Sequence, residues 1–529
     1  MGTGKKGHYQ YDWSTDTKEK MVQLDFQITH ATQDIHLTET WYRAILQEIA
    51  VKPYDEESKE MCKEMYAMIA RTRDILYGKG LRLISYMMIK NWYECFSFGA
   101  EEMLWSFVYS QSEKRPPYGS WKDMKYFCDY CRNHPTHPWD DNHPLLGFVI
   151  RTLNHQLKHD WQQPPSTPVS LVAKWIPREK SKHAWLHTKL VQDYFPSYFT
   201  TLQTNEKAWK KAAMEYRKIT STLNQRLETV EVKQCAREWK DIDFHRVSAV
   251  ALYKGTKAFL RETGTEDRIA CRHHFCDFLE SNPRKTTDTV TVGEITREAA
   301  HLYKAKPYIS QEAYESRKKA INYLWTNHTK PVTSEYSLPL IDVSHSMQDQ
   351  VYTAIGLGCQ IAESSRLQNG VIVFSGHPRW IPFGPADTFV DRVEIILRDS
   401  VTGINTDFYS ALVLVLDAMQ ESALKKKDIQ QLTLVILSDM QMDVEFPFTQ
   451  SLYETMEEKN HAFVPLPRVV FWNVRASHGF PCSPATKTVR LLSGPNKREG
   501  FKRTAAEYHE VKHVMNDYLT CQENSSGVK

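Results

Sequence analysis

The chain has 529 residues, of which 41% are apolar and 25% are charged, and its formal net charge is +3. A chain of this length exceeds one hydrophobic core, and the composition is that of an ordinary soluble protein, with disorder confined to the ends. The sequence contains no run of about 18 apolar residues, and its N-terminal stretch lacks the apolar core of a secretory signal. We therefore expect two or three domains in a cytoplasmic protein that does not contact a membrane, with a nuclear location left open.

The first part of the chain has the apolar spacing of amphipathic helices. Apolar residues recur at steps of three and four in segments such as WYRAILQEIAV, MCKEMYAMIARTRDILY and HRVSAVALYKGTKAFL. Stretches rich in Pro and Gly, such as KRPPYGSW and WQQPPSTP, separate helices of common length. We predict a flexible N-terminus over residues 1–20 and an all-α region over residues 21–335. Successive helix pairs of this kind usually stack as a repeat array, although the sequence shows no clean repeat.

The periodicity changes at about residue 336. Apolar runs typical of buried strands, YSLPLIDV, NGVIVFS, LTLVILSD, RVVFWNV and TVRLLS, alternate with helical segments such as VYTAIGLGCQIAESS. This alternation predicts an α/β doubly wound, Rossmann-like domain over residues 336–520, with a mostly parallel sheet and helices on both faces. Residues 521–529 are predicted to form a flexible tail. Because functional loops lie at the carboxyl ends of parallel strands, the polar residues that follow these runs are candidates for a site.

Oxygen-bearing side chains occur in three loops of this domain. Asp342, Ser344 and Ser346 follow the first apolar run, Thr406 precedes a helix in GINTDFYSAL, and Asp439 ends the run LVILSD. Magnesium favours about six oxygen donors near 2.1 Å, with few of them charged, and these five side chains would supply such a set at one edge of the sheet. The alternative is that they only cap helices and turns, as Asp, Ser and Thr often do.

The same pieces resemble a known motif. DVSHS, the threonine of INTDF and the aspartate of LSDM resemble the metal-ion-dependent adhesion site of von Willebrand factor A domains, in the same order along the chain. The resemblance implies that Ser344, Ser346 and Thr406 bind Mg²⁺, Mn²⁺ or Ca²⁺ directly, and that Asp342 and Asp439 complete the shell. It also implies that the open position on the ion binds an Asp or Glu of a protein partner.

A second resemblance covers roughly residues 70–500. TRDILYGKGLR, YGSWKDM, SLVAKWIPREKSK, REWKDIDFHRVSAVALYKGTKAFL and VVFWNVR resemble segments of the domain-of-unknown-function 2828 family, whose members join a helical region to a C-terminal A domain. This arrangement is similar to that of the Ro (TROVE) autoantigens and their telomerase and vault relatives. In the Ro proteins the helical ring binds structured and single-stranded RNA, so the resemblance implies RNA as a second kind of partner.

The helical region is also the basic part of the chain. Residues 168–268 hold more Lys and Arg than Asp and Glu, whereas residues 338–500 hold fewer. Cations mixed with Trp175 and Trp185 can neutralise phosphates and stack bases, although cations also coat the solvated face of any helix and Trp is more often core. The candidate RNA-binding residues are Lys174, Arg178, Lys180, Lys182, Lys207, Lys210, Lys211, Arg217 and Lys218.

Catalytic motifs are absent from the sequence. It contains neither a GxSxG elbow nor a phosphate-binding P-loop, and Ser344 stands where a phosphoryl-accepting Asp342 would want a second aspartate. We therefore expect a non-enzymatic binding protein or scaffold, with an RNA-binding ribonucleoprotein component as the alternative and a metal-assisted hydrolase as a third hypothesis.

The ten cysteines are scattered along the chain and do not form a disulfide framework. One cluster, Cys128, Cys131, His134 and His137, has zinc-ligand chemistry. Its spacing is much shorter than that of the usual zinc finger, so a surface loop is the alternative and the question of zinc stays open.

Overall fold

The computed structural model describes most of the chain, which divides into two compact units. The described residues are 2–3, 9–29, 34–51, 55–110, 116–199, 206–281, 289–328, 336–367, 369–400, 408–421, 431–441, 467–476, 479–484, 489–494, 508, 511–513, 515 and 519. Unit 1 comprises Met1–Leu81, Ser248–Leu260 and Cys276–His509, and unit 2 comprises Arg82–Val247, Arg261–Phe275 and Glu510–Lys529.

Helices occupy most of the described residues up to residue 328, as the spacing of apolar residues predicts. They are α1 (Thr17–Gln27), α2 (Ile35–Val51), α3 (Glu56–Arg73), α4 (Arg82–Phe96), α5 (Ala100–Ser106), α6 (Trp121–Arg132), α7 (Pro144–Gln162), α8 (Val172–Trp175), α9 (Ala184–Tyr194), α10 (Glu206–Arg226), α11 (Val230–Ala236), α12 (Ala249–Phe259), α13 (Glu266–Ser281), α14 (Val292–Ala305) and α15 (Gln311–Thr326). Short 3₁₀ turns lie at Pro196–Phe199, Trp239–Asp241 and Lys306–Tyr308.

Strands and helices alternate in the C-terminal part. The strands of this part are β3 (Ser337–Asp342), β4 (Gly370–Phe374), β5 (Arg379–Pro382), β6 (Thr433–Ser438), β7 (Arg468–Asn473) and β8 (Val489–Ser493), whereas the short strands β1 (Gly2–Thr3) and β2 (Tyr9–Gln10) lie near the N-terminus and pair with each other. Between the strands of the C-terminal part lie a 3₁₀ turn at His345–Gln350 and the helices α16 (Val351–Ser364), α17 (Phe389–Asp399) and α18 (Phe408–Glu421).

Six of these strands form one sheet in unit 1. Its order is β5-β4-β3-β6-β7-β8, with β5 antiparallel to β4 and the other neighbours parallel. This confirms the prediction of a mainly parallel sheet after residue 336. The edge strand β5 is short and carries an exposed arginine and a proline, which are features that discourage pairing with another chain.

Helices cover both faces of the sheet. On one face, Gly358 of α16 lies so close to β3 that an added Cβ would be 2.4 Å from a methyl group of Ile341. On the other face, Phe408 and Leu412 of α18 pack in one apolar cluster with Leu340 and its neighbours. Because β3 and β6 are buried on both sides, the residues between the polar ends of each strand are apolar.

The compact units do not follow the change of periodicity at residue 336. In unit 1, α14 packs against α16 and α17, and α1 packs against β8. The side chain of Lys79 is fully buried and donates hydrogen bonds to the Asp25 carboxylate (2.9 Å) and the Ser493 hydroxyl (2.8 Å). Polar contacts distant in sequence thus tie the first helices to the sheet.

The predicted flexible N-terminus includes residues with definite contacts. Tyr11 forms an antiparallel backbone bridge with Phe480, and the Trp13 ring stacks on Trp41 with centroids 4.2 Å apart. The side chain of Asp16 caps α1 by accepting a hydrogen bond from the Glu19 N–H. Apolar side chains within a polar segment explain this order, since aromatic burial offsets the entropy of ordering the chain.

No helix within the described residues has both the length and the apolar character that crossing a membrane requires.

Candidate functional site

The candidate site lies at the carboxyl ends of β3 and β6, which are neighbours in the middle of the sheet. The parallel register pairs Ile341 with Leu437, so Asp342 and Ser438 lie side by side where the two strands end. Strands β4 and β5 lie on one side of β3, and β6, β7 and β8 lie on the other. In open α/β sheets, ligands bind in the crevice that opens at such a reversal of strand order.

Asp342 is held by hydrogen bonds to both loops. Its Oδ1 accepts a hydrogen bond from the Ser344 N–H at 2.9 Å, and its Oδ2 accepts one from the Ser438 hydroxyl at 2.7 Å. The Ser438 hydroxyl in turn accepts a hydrogen bond from the Met440 N–H at 2.9 Å. The DVSHS loop and the LSDM loop are therefore joined through one carboxylate, which fixes the orientation of both.

The two serines of the motif extend this arrangement toward Asp439. The hydroxyls of Ser344 and Ser346 lie 3.0 Å apart, and the Ser346 hydroxyl lies 3.5 Å from Oδ1 of Asp439. That oxygen also accepts a hydrogen bond from the Gln441 N–H at 3.1 Å. Four of the five predicted metal ligands, from two loops 93 residues apart, thus lie at one edge of the sheet.

Two residues in these loops have unusual backbone conformations. Gln348, two residues after Ser346, has φ 47° and ψ −133°, and Met440, directly after Asp439, has φ 61°. Positive φ angles cost free energy in residues other than glycine and persist where surrounding contacts hold them. The loops that present Ser346 and Asp439 are therefore constrained rather than relaxed turns.

The electrostatics of the site are dominated by two buried carboxylates. Asp342 and Asp439 are each 0% exposed, whereas Ser346 is half-buried and marks the side that opens to solvent. Burial, followed by repulsion from Asp439, raises the pKa of Asp342 to about 6. A divalent cation would relieve that repulsion, because its charge compensates both carboxylates at once.

Two residues that were not predicted as ligands also contribute hydrogen bonds at this edge of the sheet. Ser438 stands inside the LSDM motif but was not among the predicted ligands, and it holds Asp342 from the neighbouring strand. Arg475, just after β7, donates a hydrogen bond from its guanidinium to the Ser346 carbonyl oxygen. The signal for Arg475 was its place after an apolar strand in RVVFWNVR, since β7 ends at the same edge as β6.

The oxygen donors of the described residues at this edge suit a hard cation. The fifth predicted ligand, Thr406, lies outside the described residues. In the part of the chain that the structure describes, no group of three or more His, Cys, Asp or Glu forms a metal cluster. The site instead combines two carboxylates with serine hydroxyls, and such a low-charge oxygen set fits Mg²⁺ better than it fits zinc.

The predicted RNA-binding cations fall on several elements of unit 2. Some face carboxylates: Lys174 pairs with Glu231 at 2.9 Å, Lys210 with Glu206 at 2.6 Å, and Arg217 with Glu179 at 3.2 Å. Lys182 also pairs with Asp129, at 3.3 Å. It is solvent-exposed, as are the remaining cations on the α8–α9 connection and on α10, namely Arg178, Lys180, Lys207, Lys211 and Lys218. They do not form a single cluster of contacts, because α10 presents its cations along the length of an exposed helix face.

A basic and aromatic surface nevertheless forms around Trp175, and it includes Lys122, Lys125 and Tyr126 of α6, which lie outside the predicted basic segments. Lys122 and Lys125 of α6 lie over the Trp175 ring at 5.1 and 5.2 Å, and Lys182 lies 5.9 Å from the Tyr126 ring, which Lys122 and Lys125 also face. Burial and the charge of Lys182 lower the pKa of Lys125. We call Lys122, Lys125, Tyr126, Trp175 and Lys182 the Trp175 surface.

The Cys and His cluster does not form a metal site in the described residues. Cys128 and Cys131 are buried on α6, and burial raises the pKa of both thiols. His134 is also buried, and its Nδ1 accepts a hydrogen bond from the His137 N–H at 3.2 Å. These residues contribute to the interior and to a turn.

Comparison with known proteins gives two family matches in sequence. Residues 140–336 match a domain of unknown function, DUF2828, and residues 336–500 match another, DUF7788. The chain is also similar to the uncharacterized protein L728 of Acanthamoeba polyphaga mimivirus, with 25% identity over 449 residues that span 81% of this chain and 73% of that protein.

One solved structure aligns along nearly the whole chain. It is the crystal structure of the Deinococcus radiodurans RO (RSR) protein, which aligns with a TM-score of 0.36 and 13% identity over 96% of this chain and 94% of that one. A TM-score of this size does not define a common fold. The family matches are more specific: the resemblance to DUF2828 is confirmed for residues 140–336, and the sheet with its candidate site falls within the DUF7788 match.

Proposed function

We propose that the edge formed by β3 and β6 binds a divalent cation, Mg²⁺ foremost, and that the protein uses it to capture an acidic group of a partner protein. The observation that carries the proposal is the continuous set of hydrogen-bond contacts that runs from Asp342 through Ser344 and Ser346 to Asp439. Thr406 is the fifth ligand in this proposal, by its place in the motif.

The chemistry of the donor set supports capture rather than catalysis. A cation held by hydroxyls and two carboxylates keeps enough charge to attract a further carboxylate. Ser346 is the half-buried member, so a partner would approach on its side. The described neighbours at this edge, Ser438 and Arg475, hold the loops and do not form a nucleophile and base pair. The proposed role is therefore non-enzymatic.

Calorimetric titration of the full chain with Mg²⁺ tests the proposal. The wild-type protein is expected to bind one ion, and Ser346→Ala is expected to weaken binding strongly, since it removes a proposed ligand on the accessible side. The partner step is tested by capture on beads that carry a glutamate-containing peptide, with and without a chelator. Absence of Mg²⁺ binding by the wild-type chain, or equal binding by the variant, would contradict the metal site.

A second function is supported by a different observation. The Trp175 surface brings three lysines and two aromatic rings together, and this combination can neutralise phosphates and stack unpaired bases. We propose single-stranded or structured RNA as its partner. Fluorescence anisotropy with a labelled uridine oligonucleotide and with a labelled hairpin, each at several salt concentrations, tests RNA binding. An affinity that does not depend on the salt concentration would contradict phosphate recognition.

A further inference from the structure

A cavity of about 510 Å³ lies between α12, α14 and α15 in unit 1, in a part of the chain that neither the sheet-edge site nor the Trp175 surface includes. This volume is within the range of sites that hold small molecules. The three helices contribute different residues to one space, because α15 packs against both α12 and α14. The cavity is therefore formed by all three helices together.

The cavity has an apolar floor. Ile295 and Leu302 of α14 and Ile321 and Leu324 of α15 line it, and all four side chains are at least nine-tenths buried. Leucine and isoleucine side chains exclude water without offering hydrogen bonds. The floor is therefore suited to the apolar body of a ligand rather than to a hydrated ion alone.

The rim of the cavity is cationic. Lys254 of α12 and Arg317 of α15 line it, and neither has an ion pair or hydrogen bond with any side chain in the part of the chain that the structure describes. His301 of α14 is exposed at the same rim. The only rim carboxylate among the described lining residues is Glu298, which faces Lys257 at 3.6 Å.

A neutral hydrogen-bond donor completes the lining. The Tyr253 side chain is half-buried in the wall formed by α12, and burial, followed by the charges of Glu298 and Glu294, raises the pKa of its hydroxyl to about 12. The hydroxyl therefore stays protonated at neutral pH and can donate a hydrogen bond to an anion. Its ring adds apolar surface at the same wall.

We propose that this cavity binds a small organic anion, with its phosphate or carboxylate group at Lys254 and Arg317 and its apolar body on the floor formed by α14 and α15. The guanidinium of Arg317 offers the fork of donors that recognises two oxygens of one anionic group, and Lys254 adds a second positive charge from the facing helix. Binding here does not depend on the metal site or on RNA.

The probe for the test is 8-anilinonaphthalene-1-sulfonate, which joins an anionic group to an apolar aromatic body and fluoresces when it leaves water. The full-length protein is expected to bind one molecule of the probe with saturation. Arg317→Gln and Lys254→Gln, tested separately, are each expected to weaken the affinity about 10-fold, because each removes a charge-assisted hydrogen bond. The matched control is Lys304→Gln, an exposed lysine on α14 that does not line the cavity.

Competition identifies the class of anion. Displacement of the probe by decanoate, and not by adenosine monophosphate, assigns an acyl carboxylate, and the reverse assigns a phosphorylated aromatic compound. Both outcomes support the proposal, provided that the thermal unfolding midpoints of the variants match that of the wild type. Inorganic phosphate that competes as well as either compound would overturn the role of the floor. An affinity for the probe that is unchanged in both Arg317→Gln and Lys254→Gln would overturn the site.

Discussion

The sheet-edge site and the Trp175 surface present polar chemistry in opposite ways. At the sheet edge, short side chains such as Asp342 and Ser344 are buried and fixed by backbone N–H groups and a neighbouring strand. At the Trp175 surface, long lysines from α6 and the α8–α9 connection lie over aromatic rings and reach solvent. The first arrangement loses little side-chain entropy on binding and suits one ion of defined size, whereas the second suits an extended anion recognised mainly by charge.

The largest expected effect comes from removing charge at the sheet edge without changing shape. Asp342→Asn is expected to abolish Mg²⁺ binding in calorimetry, since the carboxylate is central to the contacts of both loops. Asparagine keeps the volume and one acceptor oxygen, whereas alanine would leave the buried Ser344 N–H and Ser438 hydroxyl without their acceptor, at a cost of about 1–3 kcal/mol. The asparagine variant is therefore expected to fold.

The control is Asp349→Asn, which removes an exposed carboxylate from the same stretch of chain. Its Mg²⁺ affinity is expected to equal that of the wild type. If Asp342→Asn bound Mg²⁺ as tightly as Asp349→Asn, the contrast between a fixed ion site and a charged surface would not hold.

The sequence predicted the sheet edge well because strand burial and loop position follow from local patterns. The apolar run before Asp342 and the one before Asp439 had to be buried strands, and parallel strands place their carboxyl ends at one edge. The position of Arg475 after an apolar run indicated this edge, but its hydrogen bond to the Ser346 carbonyl oxygen could not be predicted, because it depends on the register of β7 beside β6. Long-range pairing of this kind leaves no periodic signal.

The Trp175 surface, in contrast, could not be predicted from local sequence patterns. The cations of SLVAKWIPREKSK and the second run on α10 were visible as a basic segment, but which of them lie near an aromatic ring was not. Lys122 and Lys125 come from α6, well before Trp175 in sequence, and they reach its ring only through the packing of α6 against α8. Composition identifies the charge of a region, whereas tertiary contacts decide where that charge concentrates.

A packing change between α14 and α16 tests the fold independently of the ion site. An added Cβ at Gly356 of α16 would lie 2.3 Å from a methyl group of Val292, so Gly356→Leu is expected to destabilise the protein by about 1–3 kcal/mol. Denaturant unfolding measures this change in the free energy of unfolding. Gly376→Leu is the matched control, because a Cβ there meets no atom within 4 Å. Equal stability of the two variants would contradict the close approach of α14 and α16.

A smaller decrease in Mg²⁺ affinity is expected when a residue that positions a ligand is replaced. Ser438→Ala removes the hydroxyl that holds Oδ2 of Asp342, and partners of this kind contribute about 10-fold to metal affinity. Calorimetry with Mg²⁺ checks the value. Ser364→Ala, which removes a hydroxyl bonded to a backbone carbonyl near the far end of α16, is expected to leave the affinity unchanged. A complete loss of binding in Ser438→Ala would instead indicate that this serine is itself a ligand.

The smallest effect per residue is expected at the Trp175 surface, where charge is shared among several lysines. Lys122→Glu combined with Lys125→Glu is expected to weaken binding of a uridine oligonucleotide several-fold and to lower the salt dependence of the affinity by about one unit of slope for each phosphate that is no longer neutralised. The matched pair is Lys210→Glu with Lys211→Glu on α10, where Lys210 already faces Glu206. Because the two double variants change net charge equally, a larger decrease in affinity in the first locates recognition at Trp175. Equal decreases would show that only the overall charge of the helical unit attracts RNA.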